Sequence, residues 1–137
     1  MPGYLLDTNV VSETRRLRPN AGVIDFISEA DRNELFLSVL TIGELHKGVE
    51  AKRRGDPAAA DLILEWVRDL ELDFADRILP LDVATSRRWG LLSAAQSRPV
   101  IDTLIAATAL ERGLTLVTRN VGDVKFTGVA LINPWAD

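Results

Sequence analysis

Leu5-Leu6-Asp7-Thr8-Asn9 is an apolar run that ends abruptly in a carboxylate, a hydroxyl and an amide. With Tyr4 it reads as a buried strand, and Val10 and Val11 resume the apolar character at once. A strand inside a sheet has no inexpensive way to bury an unpaired carboxylate. Asp7 is therefore expected just past the strand's carboxyl end, at the mouth of the fold, where it can also cap a helix starting near Asn9.

Working outward, apolar residues recur at helical spacing from Ala21 to Ala30, after Pro19 and Asn20 have stopped one short element and begun another. Leu35-Phe36-Leu37-Ser38-Val39 is short enough for a buried strand. Thr41-Ile42-Gly43-Glu44 matches the capping box of a helix start, and that helix is expected to end near Lys52-Arg53-Arg54-Gly55. Asp56-Pro57 opens the next helix in the favoured order of cap and first residue. Ile78-Leu79-Pro80-Leu81 reads as a strand at a sheet edge, because its proline cannot donate to a ladder, and Asp82 caps the helix after it. Ser97-Arg98-Pro99 breaks that helix, Val100 to Arg112 forms another stopped by Gly113, and its alanines allow close approach to a sheet. Leu114 to Thr118 and Val129 to Ile132 are the last two strands. Strands alternating with helices predict an α/β fold with a mainly parallel sheet. The absence of repeats and linkers predicts one domain over residues 1–137.

Composition narrows the chemistry. Hydrophobic residues at 47% beside 26% charged residues fit an ordinary globular protein, and no run is long enough to span a membrane. There is no cysteine, which rules out disulfides and thiolate metal sites, and nothing resembles an export signal, so a cytoplasmic home is expected. His46 is the only histidine, so in any catalysis carboxylates must do most of the work. It lies two residues beyond Glu44, off that residue's helix face, which makes it a surface or packing residue. The formal net charge of −4 argues against a general nucleic-acid coat protein while leaving room for a local basic rim.

Asp7, Glu44, Asp102 and Asp123 occupy comparable places, each after a strand or early in the following helix. Each has a local reading too: Asp7 as a cap, Glu44 as the capping-box acid, Asp102 as a first-turn acid favoured by the helix dipole, Asp123 as a turn former. In open α/β sheets these positions share one edge, where ligands bind. Carboxylates gathered there repel one another, and a divalent cation relieves the repulsion. An oxygen-only set suits Mg²⁺ or Mn²⁺. Thr8, Asn9, Thr118 and Asn120 add groups that could orient waters or touch phosphate, so the pattern points to metal-dependent phosphoryl chemistry.

At these residues the chain resembles the PIN-domain nucleases, specifically VapC-type toxins, over nearly its whole length. Leu5-Leu6-Asp7-Thr8-Asn9, Ser38 to Leu45, Asp102 to Ala109, and Leu116-Val117-Thr118-Arg119-Asn120 with Asp123 are similar to the family's four motifs in order. Ile78 to Asp82 and Asn133-Pro134-Trp135 resemble its FitB-like branch. One departure is that Val124 and Lys125 precede Phe126, where the family commonly has an aromatic directly after the fourth acid.

The resemblance implies a metal-dependent endoribonuclease. Asp7 and Asp102 would be the principal Mg²⁺ ligands, Glu44 and Asp123 would act through waters or at a second ion, and Thr118 would steady the fourth acid or a water. It further implies a VapB-like, DNA-binding antitoxin partner, a homodimer and a higher-order complex with the antitoxin. The RNA substrate would meet Arg119 beside the acids, with Arg15, Arg16, Arg18, Lys52, Arg53, Arg54 and Arg98 as further candidates for phosphate contacts. Two other readings stand beside it. An aspartate-nucleophile phosphatase would want a second acid where Asn9 stands. A receiver-like regulator would want an acidic pair near the N-terminus and a lysine after a late strand, whereas only one acid follows the first strand and Arg119 follows the penultimate one; a PIN-like fold acting by binding alone is the other non-catalytic reading.

Overall fold

A computed structural model describes residues 3–135. Five parallel strands form one sheet: β1 (Tyr4–Leu6), β2 (Leu35–Ser38), β3 (Ile78–Leu79), β4 (Thr115–Val117) and β5 (Leu131–Ile132). Their order is β3-β2-β1-β4-β5. The chain winds outward from β1 through β2 to β3, then crosses back to lay β4 against the other side of β1. The strand order thus reverses between β1 and β4, the place where such sheets open a crevice at their carboxyl ends.

Helices cover both faces: α1 (Thr8–Glu13), α2 (Ala21–Glu29), α3 (Val39–Arg53), α4 (Pro57–Asp73), α5 (Val83–Ala95), α6 (Val100–Arg112) and the single turn α7 (Val121–Val124). Successive residues of β1 feed opposite layers, as the pleat dictates. Leu6 joins Val10, Val23, Leu37, Val49 and Val67 on one face. Leu5 joins Ile105, Ala106, Ala109 and Leu116 on the other. A strand buried on both faces must be apolar at every position, which is why its first polar residue marks its end. The alanines of α6 do bring that helix close, Ala106, Ala107 and Ala109 all being fully buried, although Leu104 is only half-buried.

Most element boundaries follow the local signals. Asn20 caps α2, Asp56 caps α4 with Pro57 behind it, Asp82 caps α5 through Thr85, and Gly113 ends α6 at φ 65°. β3 is an edge strand but stops at Leu79, leaving Pro80 outside the ladder. The capping box is a correction. α3 begins at Val39, and Ser38 is its cap, its Oγ accepting from the Leu40 N–H at 3.0 Å. Thr41 is thus already inside the helix and Glu44 lies in the second turn, where no free N–H remains to be satisfied.

Candidate active site

β1 and β4 are neighbours in register, Leu6 opposite Val117, so the residues after them emerge side by side. The Asp7 N–H donates to the Val117 carbonyl at 2.9 Å and prolongs the ladder by one bond. Its carboxylate, in a residue 6% exposed, accepts from the Thr8 N–H at Oδ1 and from the Thr118 hydroxyl at Oδ2, each 2.8 Å. The resemblance implies that Thr118 steadies the fourth acid or a water. Adjacency of the two strands gives its hydroxyl to the first acid. Thr118 Oγ1 in turn accepts from the Asn120 N–H (3.0 Å) and from Asn9 Nδ2 (3.4 Å), and Asn9 Oδ1 accepts from the Arg119 N–H at 3.5 Å. The loops after β1 and β4 are therefore stitched together around the Asp7 carboxylate.

Glu44 reaches the same place from α3. The Thr8 hydroxyl donates to Glu44 Oε1 at 2.6 Å and lies 3.0 Å from the buried Thr41 hydroxyl. Asp102 arrives in the first turn of α6, a helix whose N-terminus has no side-chain cap. Asp7, Thr8, Asn9, Ser12, Glu44, Asp102 and Asn120 line one cleft of about 260 Å³. Asp123 sits in α7 and does not line that cleft, but its charge is felt there.

The electrostatics join the acids. Burial, then the charges of Asp7, Asp123 and Glu44, push the Asp102 carboxyl up to about 6. Asp7 is also raised, by burial first and by Glu44 last, against the lowering effect of its bonds from Thr118 and Thr8. Among the described residues no three acid or histidine side chains stand close enough to form a finished ligand cage. These observations agree, since charges couple across several ångströms of low-dielectric cleft while direct coordination of Mg²⁺ needs contact near ~2 Å.

Thr41, read from the sequence only as a capping-box residue, and Ser12, not singled out there, belong to the site. Ser12 lies four residues after Thr8 on α1, the spacing that shares a helix face, and that was its only signal. His46 does not line the cleft, and its Nε2 is 3.4 Å from Glu71 on α4, as a packing residue should be. Arg119 is exposed, with its guanidinium 5.1 Å from the centre of the Trp135 ring.

A parallel sheet reversing at β1, with acids from four separate segments coupled at that reversal, is the architecture of a PIN domain. The sequence profile of the PIN domain matches residues 4–125, and the chain belongs to that family. Within it the chain stands with the VapC and FitB proteins. It is 33% identical over 139 residues to toxin FitB of Neisseria gonorrhoeae, covering 97% of this chain and 99% of that one. It is 33% identical over 140 residues to the VapC ribonuclease Y4jK of Sinorhizobium fredii, covering 96% of each. Among solved structures, FitAcB from Neisseria gonorrhoeae superposes with a TM-score of 0.87 at 31% identity, over 98% of this chain and 99% of that one. FitAB bound to an IR36 DNA fragment gives 0.86 at 31% identity, over 98% and 96%.

Proposed function

We propose that this protein is a metal-dependent endoribonuclease, the toxin of a toxin–antitoxin pair. The observation that carries the reading is the convergence of Asp7, Glu44 and Asp102 on one cleft at the β1/β4 crevice, where burial first, and then the charges of Asp7, Asp123 and Glu44, push Asp102 to about 6. Such a surplus of negative charge costs stability and is relieved by a divalent cation. The donors are all oxygen, which suits Mg²⁺ with Mn²⁺ as substitute. Asp7 and Asp102 would hold it, with Glu44 and Asp123 reaching it through water, in keeping with an ion that retains much of its hydration shell. Such an ion supplies charge stabilisation at a phosphate and activates water at neutral pH.

The chain's own residues do the positioning. Thr118 and the Thr8 N–H fix both oxygens of Asp7, so its carboxylate plane is set before any ligand arrives. The Thr8 hydroxyl holds Glu44 toward the cleft. Asn9 and Asn120 brace the two loops, and Arg119 at their edge is offered to the RNA. With a single histidine outside the cleft, no imidazole base takes part. A relative named a ribonuclease and another named a toxin support RNA as substrate and toxin as role. The FitAB–DNA structure supports a cognate DNA-binding antitoxin as partner. A homodimer, further assembled by that antitoxin, completes the proposal.

The test is cleavage of end-labelled RNA by the purified chain. Cutting is expected with Mg²⁺ or Mn²⁺, and its loss is expected in excess chelator and in Asp102→Asn. Undiminished cutting in chelator would overturn the metal, and no cutting of any RNA by folded, metal-supplied protein would overturn the nuclease.

A further inference from the structure

A second groove, of about 240 Å³, continues from the acidic cleft and shares Thr8, Ser12 and Glu44 with it. Beyond Glu44 its walls change character. Arg15, just after α1, and Lys52, in the last turn of α3, supply positive charge, while Gly48 of α3 and Ile63 and Trp66 of α4 supply an apolar floor. We propose that this groove carries the RNA strand to one side of the scissile phosphate, with Arg15 and Lys52 on its phosphates and Trp66 as a stacking face for a base. The inference rests on the nuclease reading above and names where that substrate lies.

Three observations support it. The first is the state of the cations. Arg53 is paired with Glu50 and Asp61, Arg16 with Glu13, Arg88 with Glu111 and Arg112 with Asp82, whereas Arg18, Arg54, Arg68, Arg87, Arg98 and Arg119 stand in no ion pair among the described residues but line neither groove. Arg15 and Lys52 have no carboxylate partner among the described residues, although acids outnumber bases by 20 to 16 in the chain. Two unneutralised cations beside a carboxylate cluster suit a polyanion that must be drawn past like charge.

The second is Gly48. A glycine inside a helix is unfavourable by roughly 0.5–1 kcal/mol relative to alanine. Nothing lies within 4 Å of where its Cβ would stand, and the same is true of Gly43 in the same helix, so packing within the chain requires neither. The vacant space at Gly48 faces the groove, where a ligand backbone can approach the helix closely. The third is the combination itself, an aromatic ring flanked by cations, which is how single-stranded nucleic acid is held without base-specific bonds. Glu44 to Lys52 spans about 12 Å of helix, room for a nucleotide or two past the cut.

The groove on the opposite side of Glu44 supplies the internal comparison. It is lined by Val39, Leu40, Gly43, Lys47 and Ile101, with a single cation and no aromatic ring.

Binding of a fluorescein-labelled single-stranded oligoribonucleotide to the Asp102→Asn protein, which retains the groove, tests the assignment across a range of salt. Arg15→Gln with Lys52→Gln is expected to weaken binding at least tenfold and to lower the slope of log K against log salt by about 0.7 per cation removed. Gly48→Ala is expected to raise the melting temperature while weakening RNA binding, a split that a structural role alone would not produce. Trp66→Leu should weaken binding about tenfold and Trp66→Phe should restore most of it, with circular dichroism reporting the fold. If the parent neither binds nor cuts any RNA, the nuclease reading falls and this one with it. If the parent binds and cuts, but the double variant keeps its affinity and salt slope, the groove assignment alone is overturned. The same holds if Lys47→Gln weakens binding as much.

Discussion

Thr118 is the residue on which the Asp7 carboxylate depends. Its hydroxyl donates to Asp7 while accepting from Asn9 and the Asn120 N–H, so one oxygen satisfies three groups. Thr118→Val keeps the shape and leaves all three short of a partner. A loss of about 1–3 kcal/mol is expected in urea unfolding, with Thr118→Ser close to the parent. Equal stability of the Val and parent proteins would show that water replaces the hydroxyl at no cost. Asp102 behaves in the opposite way. Its folded value, about 6, lies above the ordinary 3.8, so the folded state binds its proton more tightly than the unfolded chain. This contribution to stability is fully present below about pH 4, declines as pH rises and is gone above about 6. Asp102→Asn removes the charge, and with it the cost of burying that charge and its repulsion with Asp7, Asp123 and Glu44. Without metal, the variant is expected to melt above the parent at pH 8, the advantage shrinking toward pH 4, while cleavage is lost. A melting temperature below the parent's at pH 8 would contradict a net cost of the buried, repelled charge.

At the scale of elements, the start of α3 decides how Glu44 is understood. Ser38 ends β2 and caps α3 with no residue between, which frees Glu44 for the cleft. Ser38→Ala should therefore cost about 1 kcal/mol in thermal or denaturant unfolding, as cap removal does. Glu44→Gln should leave stability intact or raise it while cleavage falls. A destabilised Glu44→Gln with full activity would return that residue to a capping role. Much of the element order was legible from sequence because its signals are local: Asn20, Asp56-Pro57, Asp82 and Gly113 each act on backbone within a few residues. The capping box misled for the same reason. Thr-x-x-Glu fits a helix start wherever it occurs, and it is excluded here by a cap three residues earlier and a hydroxyl partner, Thr8, 36 positions away in the chain. The place of Thr41 and Ser12 at the site and the pairing of Thr118 with the first acid were not legible because each depends on strand adjacency and helix docking, which no local pattern encodes.

For the whole molecule, the topology explains why residues as distant as 7, 44 and 102 share one cleft. Winding out from β1 and returning to β4 sets the ends of those two strands side by side, with α3 and α6 delivering their acids to the same edge. Asp7 could be placed at the edge by exclusion from the sheet, and Asp102 by its position after Pro99. The distance of Asp123 from the cleft wall depends on α7, a single turn that leaves little periodic signal. This convergence stores repulsion in the folded state that a divalent cation would discharge, and the consequence is global. A ligand that binds only the folded form raises stability by RT ln(1 + [L]/Kd), about 2.7 kcal/mol when present at a hundred times its Kd. Mg²⁺ and Mn²⁺ are therefore expected to raise the melting temperature at pH 8, where Asp102 is ionised. The rise should diminish as pH falls through about 6, because protons then occupy the carboxylate that the cation needs. In Asp7→Asn with Asp102→Asn it should vanish at every pH. Calorimetry with and without metal across that range separates the cation's effect from general screening, since K⁺ at equal ionic strength should not reproduce it. A shift equal in the parent and the double variant would place the stabilising ion away from the β1/β4 crevice.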